Sequence, residues 1–175
     1  MGNYSYQIDA NITEVSYAEP VTLAEAKLYI RVSHSSEDPQ ISEMISAARK
    51  TIEQAAGISI ITKQVTVWFS NKGGVFNLPY GPIISTPVIS DVTTGTTYSA
   101  TVIGGNYPIV TFPIQDNMKA VYNVGMTTVP VALKYAILDQ LNHMYENRGA
   151  GAEGMGICEK AWRACQLFTK QSPIL

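Results

Sequence analysis

The stretch Ile41–Phe69, ISEMISAARKTIEQAAGISIITKQVTVWF, changes its hydrophobic period at Gly57. Before the glycine, Ile41, Met44, Ile45, Ala48, Ile52 and Ala55 recur at helical spacing and form one apolar stripe. Glu43, Arg49, Lys50, Glu53 and Gln54 are expected on the opposite, polar face. After the glycine, β-branched and aromatic residues take over, and Ile60–Phe69 reads as a strand. A helix that stops at Gly57, where a left-handed cap suits glycine, therefore hands over to β structure. The fold class follows from that junction: α+β, with helices outside a β-rich segment.

Working upstream, Pro39 suits the first turn of this helix, because its missing N–H costs nothing there. An earlier helix starts at Thr22, since Thr22-Leu23-Ala24-Glu25 spells a capping box. Leu23, Ala26, Tyr29 and Ile30 then share a face, and a polar loop over 32–38 joins the two helices. Residues 1–19, with Tyr4, Tyr6 and Ile8 in alternation, read as an extended arm holding at most a short strand.

Working downstream, residues 58–128 form a β module punctuated at Gly73-Gly74, Pro79–Pro82, Pro87, Gly95 and Gly104-Gly105. Strands are expected at Ile60–Phe69, Val75–Leu78, Val88–Thr93, Thr97–Ile103, Ile109–Phe112 and Lys119–Val124. A further helix resumes at Pro130 and carries Leu133, Ile137, Leu138, Leu141, Met144 and Tyr145 on one stripe. A glycine-rich hinge follows at 149–156, and then a C-terminal helix from Cys158 to Lys170. The expected organisation is an arm (1–19), a first helical part (20–57), an inserted antiparallel β module (58–128), a second helical part (129–148), the hinge, and a terminal helical segment (157–175).

The 175-residue chain is 46% apolar but only 15% charged, against about 25% in an average globular protein. Within 58–128 the charged residues are Lys63, Lys72, Asp91, Asp116 and Lys119 alone. A solvated sheet protects its edges with more charge than this, so the module is expected to be covered by neighbours. Twelve basic against fourteen acidic residues leave a net charge of −2, which gives no electrostatic footprint for gripping phosphates. No apolar run is long enough to span a membrane, and residues 1–10 do not read as a signal peptide.

Candidate chemistry is thin. Gly149, Gly151 and Gly154 spell G-x-G-x-x-G, but the motif follows a helix rather than a strand and reads as a hinge. Asp139, His143 and Glu146 share one side of a helix and could converge on a metal ion. With no further His or Cys cluster to complete the site, the simpler reading is an Asp139–His143 ion pair with Glu146 beside it. A hydrolase built on those three is the catalytic rival. Cys158 and Cys165, seven residues apart on a helix, lie about 10 Å apart along its axis and cannot bridge one another. With Ala161, Trp162 and Phe168 they form an apolar stripe, while Lys160, Arg163 and Lys170 make a basic edge opposite. No nucleophile elbow or Cys/His pairing is present, so no catalytic residue, metal or cofactor is expected.

Four segments resemble the head-tail connector (adaptor or neck) proteins of long-tailed double-stranded DNA bacteriophages. Pro20–Val32 is similar to the family's opening helix, followed by a polar loop with Glu37-Asp38. Gly57-x-x-Ile-Ile-Thr-Lys-Gln64 is similar to its exit into the first strand, and Leu78-Pro-Tyr-Gly-Pro-Ile83 to its proline-glycine turn. Val129–Lys134 and Ala136-Ile-Leu138, ending in Tyr145-Glu-Asn-Arg148, resemble its third helix.

The resemblance implies a small helical bundle core carrying the β module, assembled as a ring of about twelve subunits. Such a ring joins the portal vertex to a head-closure or tail-completion protein in the virion neck, and DNA passes through it without specific binding. It would give Trp162, Arg163, Phe168 and Lys170 a portal-docking role. The arm residues Tyr4 and Tyr6, with Asp139, His143 and Glu146, are expected at the subunit interface. The alternative is a β-rich receptor- or ligand-binding module of a phage tail.

Overall fold

The structure is a computed structural model that describes residues 5–16, 18–71, 74–111, 115–150 and 156–169. Tyr4 and Lys170 lie outside the described residues, as does most of the glycine-rich hinge. Two compact units divide the chain: residues 1–17 with 61–127, and residues 18–60 with 128–175. Among the described residues the first holds two antiparallel sheets and the second four helices, so the class is α+β.

In the helical unit, α1 (Leu23–Ile30) begins with the expected capping box. Glu25 N–H donates to Thr22 Oγ1 at 3.2 Å, and Thr22 N–H donates to Glu25 Oε2 at 2.8 Å. Helix α2 (Asp38–Ala56) carries Pro39 in its first turn and ends on Gly57 at φ +65°. Its stripe of Ile41, Ile45, Ala48, Ile52 and Ala56 is buried. Helix α3 (Val131–Glu146) buries Leu133, Ala136, Ile137, Leu141 and Met144, and α4 (Glu159–Cys165) buries Ala161 and Cys165. Helix α2 packs on α3 and α4, and α1 packs on α2 and α3.

Two expectations for these helices need correction. Arg49 and Glu53 do not lie on a solvated face: only 1% and 5% of their surfaces are exposed. At 100° per residue both flank the Ile41/Ile45/Ile52 stripe rather than oppose it. Arg49 clasps Glu19 through Nε–Oε2 at 2.8 Å and Nη2–Oε1 at 3.1 Å, and donates to Glu53 Oε2 at 2.7 Å. The other oxygen of Glu53 takes the Ile60 N–H at 2.7 Å. The last helix is also shorter than expected. Beyond Cys165 the Leu167 and Phe168 amides reach back only three residues, to Ala164 and Cys165, and the helix tightens into turns.

In the β unit, the larger sheet has the order β1-β2-β8-β4-β5 and the smaller the order β3-β7-β6. Strand β1 spans Tyr6–Glu14, nine residues where a short strand at most was expected, and pairs antiparallel with β2 (Lys63–Asn71). The remaining strands are β3 (Val75–Asn77), β4 (Val88–Asp91), β5 (Thr97–Tyr98), β6 (Thr101–Ile103), β7 (Ile109–Thr111) and β8 (Gln115–Val124). The single strand expected over Thr97–Ile103 is thus two strands, one in each sheet, with the chain changing sheets at Ser99-Ala100. Val65, Val67 and Phe69 of β2 and Met118, Ala120 and Tyr122 of β8 meet Phe76, Leu78 and Val110 in one buried core. Phe69 and Phe76 stack with ring centroids 4.0 Å apart. The opposite pleat of the larger sheet bears Thr66, Trp68, Val88 and Val121, and none of these is fully buried.

Candidate assembly surfaces

Several residues that carry the connector resemblance converge on one cluster in the helical unit. Tyr145 Oη, on α3, donates to Glu37 Oε2 at 2.6 Å, and Arg148 reaches Glu37 Oε1 at 3.2 Å while lying 4.2 Å over the Tyr145 ring. Lys27 of α1 pairs with Asp38 at 2.6 Å. The Glu37-Asp38 loop is thereby tied to α1 on one side and to the end of α3 on the other. The Tyr145 hydroxyl, aided by Arg148, holds the Glu37 carboxyl below its ordinary range. These residues fix the frame of the helical unit. The proline-glycine turn has a similar basis, because a Cβ on Gly81 would strike the Asn106 carbonyl oxygen and the Tyr107 ring.

The residues singled out on α3 do not form a common site. Asp139 accepts from Tyr29 Oη at 2.8 Å, and Glu146 accepts from Asn142 Nδ2 at 2.9 Å. His143 lies beside Asn147, with Nδ1 to Nδ2 at 3.3 Å, in place of the expected ion pair with Asp139. Burial, with the Asp139 carboxylate next to it, pushes the Tyr29 hydroxyl up to about 12. Among the described residues no group of His, Cys, Asp and Glu is arranged to hold a metal ion, and no helix is long and apolar enough to cross a membrane.

The fully buried Gln140 side chain holds the start of α4 on both sides. Its Nε2 donates to the Gly156 carbonyl at 2.9 Å, and its Oε1 accepts the Cys158 N–H at 2.8 Å, which no cap residue serves. With Ala161 and Cys165 turned into the unit, α4 presents Trp162 (41% exposed), Arg163, which pairs with Glu159, and the neighbouring Leu167 (77% exposed). Phe168 is half-buried. Burial pushes the Cys165 thiol up to about 11, as befits a packing residue rather than a nucleophile. Sequence reasoning missed Gln140, although it is the one polar residue inside the apolar stripe of its helix.

Among the described residues, two further apolar surfaces are open. In the β unit, Tyr6, Ile8 and Ile12 of the edge strand β1 are exposed. In the helical unit, Val21, Leu28, Tyr29, Val131, Tyr135 and Leu138 line a groove of about 540 Å³ between α1 and α3. Leu28 at its rim is 82% exposed.

The described residues make up an α+β subunit with apolar surface open on both the sheet edge and the α1/α3 groove. Residues 19–156 match the head completion protein family, and the chain belongs to it. Among solved structures it is similar to a chain in the virion of a native gene transfer agent particle, with a TM-score of 0.71 at 18% identity. It is also similar to chains in the neck of an empty particle computed with C6 symmetry (TM-score 0.65, 18% identity) and of a native particle computed with C12 symmetry (0.64, 17%). Each match covers 93% of this chain and 97% of the other. A search of curated proteins gave no match. The family match and the neck assemblies agree with the connector resemblance and with a place in the virion neck.

Proposed function

We propose that this protein is the head-tail connector of a tailed particle, forming a ring of twelve that joins the portal vertex to the next neck protein, in keeping with the twelvefold neck among its structural neighbours. The observation that carries this reading is the family match across residues 19–156, which takes in most of both units. The helical unit serves as the bundle core of each subunit, and the β unit contributes low-charge surface for neighbours to cover. A subunit with net charge −2 suits a ring through which DNA slides without being gripped. Subunit contacts are assigned to the arm with Tyr4 and Tyr6 and to the Asp139, His143 and Glu146 side of α3. Docking to the portal is assigned to the segment 157–175 through Arg163, Phe168 and Lys170; Trp162 is assigned separately below.

Mass measurement and negative-stain imaging, with and without the portal, test the reading. Rings, or monomers that become rings on a portal, are expected, and a monomer that never associates with one would sink it. Deleting 157–175 is a poor test of docking, because it strips Ala161 and Cys165 from the core. Arg163→Glu is cleaner: Arg163 is about three-quarters exposed, and its reversal should leave the ring intact while weakening portal capture tenfold or more.

A further inference from the structure

The groove between α1 and α3 has apolar walls formed by Leu28, Tyr29, Val131 and Tyr135, all of them exposed in the single chain. Its rim carries charges of both signs, Glu25 against Lys134 and Arg31. Helix α4 offers the matching convex feature. Trp162 projects from it and Leu167 from the turns just after it, and Glu159 and Lys160 flank them, again with both signs. Tryptophan seated in an apolar pocket within a charged rim is the usual anchor of a protein interface.

The placement of these two features decides what kind of contact they can make. On α3, the groove is lined by Val131, Lys134, Tyr135 and Leu138, whereas Gln140, which holds α4, lies about 180° away around the helix. Groove and projection therefore occupy opposite sides of one helix within one unit. They cannot meet in the same chain, and they are not the same patch. A contact between them is heterologous, which is the kind that generates rings when the rotation closes.

We infer that the α1/α3 groove of each subunit receives Trp162 and Leu167 of the next copy. The inference rests on the ring reading above and names the contact that closes it. Glu25 is engaged in its own capping box and has its pKa lowered by the bonds from Thr22, so it stays charged beside the incoming Lys160.

Two variants of the full chain test it. In a Cys158→Ser background, Leu28→Cys combined with Leu167→Cys should give, on mild oxidation of assembled protein, a ladder of covalent multimers on a non-reducing gel. The same variant oxidised at high dilution should stay monomeric. Trp162→Ala should keep the wild-type circular dichroism spectrum but raise the concentration for half-assembly tenfold or more. Rings of wild-type mass with no ladder, or a Trp162→Ala protein that forms rings normally and loses only portal binding, would overturn the groove contact while leaving the connector reading in place. Wild-type protein that forms no ring, alone or on a portal, would remove both.

Discussion

Arg49 shows what a single buried charge does in this chain. Its guanidinium has five donors and is held by Glu19 and Glu53, so the charge is taken out of water only because it is paired on both sides. Glu19 lies just before α1 and Ile60 just after the end of α2, so the Arg49–Glu53 pair pins the chain at the entry and the exit of the first helical segment. Removing the arginine leaves the buried Glu53 carboxylate without its cation. Arg49→Ala is expected to lower stability by about 3–5 kcal/mol, measured by urea unfolding. Arg49 was read from the sequence as a surface residue because helical spacing gives an angle around the axis and says nothing of what covers the flank. Thr22 and Glu25, in contrast, were legible because a capping box is local: both partners lie within one turn.

At the scale of elements, α4 depends on another helix. A seven-residue helix is too short to persist by propensity, so its order comes from packing and from the two bonds of Gln140. Gln140→Leu keeps the volume but strands the Cys158 N–H and the Gly156 carbonyl. It should cost about 1–3 kcal/mol and speed amide exchange across 157–165 well ahead of α3, read by hydrogen exchange. The loop before α2 should respond to acid. Glu37 has a lowered pKa in the fold, so its ion pair and its bond from Tyr145 support the loop above the ordinary carboxylate range and are lost as pH falls through and below that range. The difference in melting temperature between wild type and Glu37→Gln should therefore be present at pH 7 and shrink progressively as pH falls below the ordinary glutamate range. Helices α1, α2 and α3 were legible because each carries its own cap, breaker or stripe. The split of β5 from β6 was not, because a change of sheet at Ser99-Ala100 leaves the alternation of apolar residues undisturbed.

For the whole molecule, the scarcity of charge over 58–128 acquires a location in the structure. The larger sheet buries one pleat against the smaller and leaves Trp68, Val88 and Val121 on the other, while β1 lies at the sheet's edge with most residues exposed. Composition could flag such a surface but not its direction, since that depends on register. Electrostatics gives a separate test. With net charge −2 the protein should show no salt-sensitive retention of duplex DNA in a gel-shift assay at physiological ionic strength, and binding that falls steeply with added salt would contradict a passive channel.

Strand β1 pairs with β2, yet α1 and α2 lie between them in the chain, and the helical unit in turn waits for α3 beyond β8. The segments of the two units thus alternate along the chain, in the manner of interlocked brackets. On a ribosome, where the chain emerges from its N-terminus, neither bracket closes early: β1 has no partner until residues 63–71 appear, and the α1 groove has no second wall until residues 131–138 do. Pairings so far apart in sequence form slowly and late. A fragment that ends before residue 131 therefore lacks one wall of the α1 groove, however far its β unit has advanced.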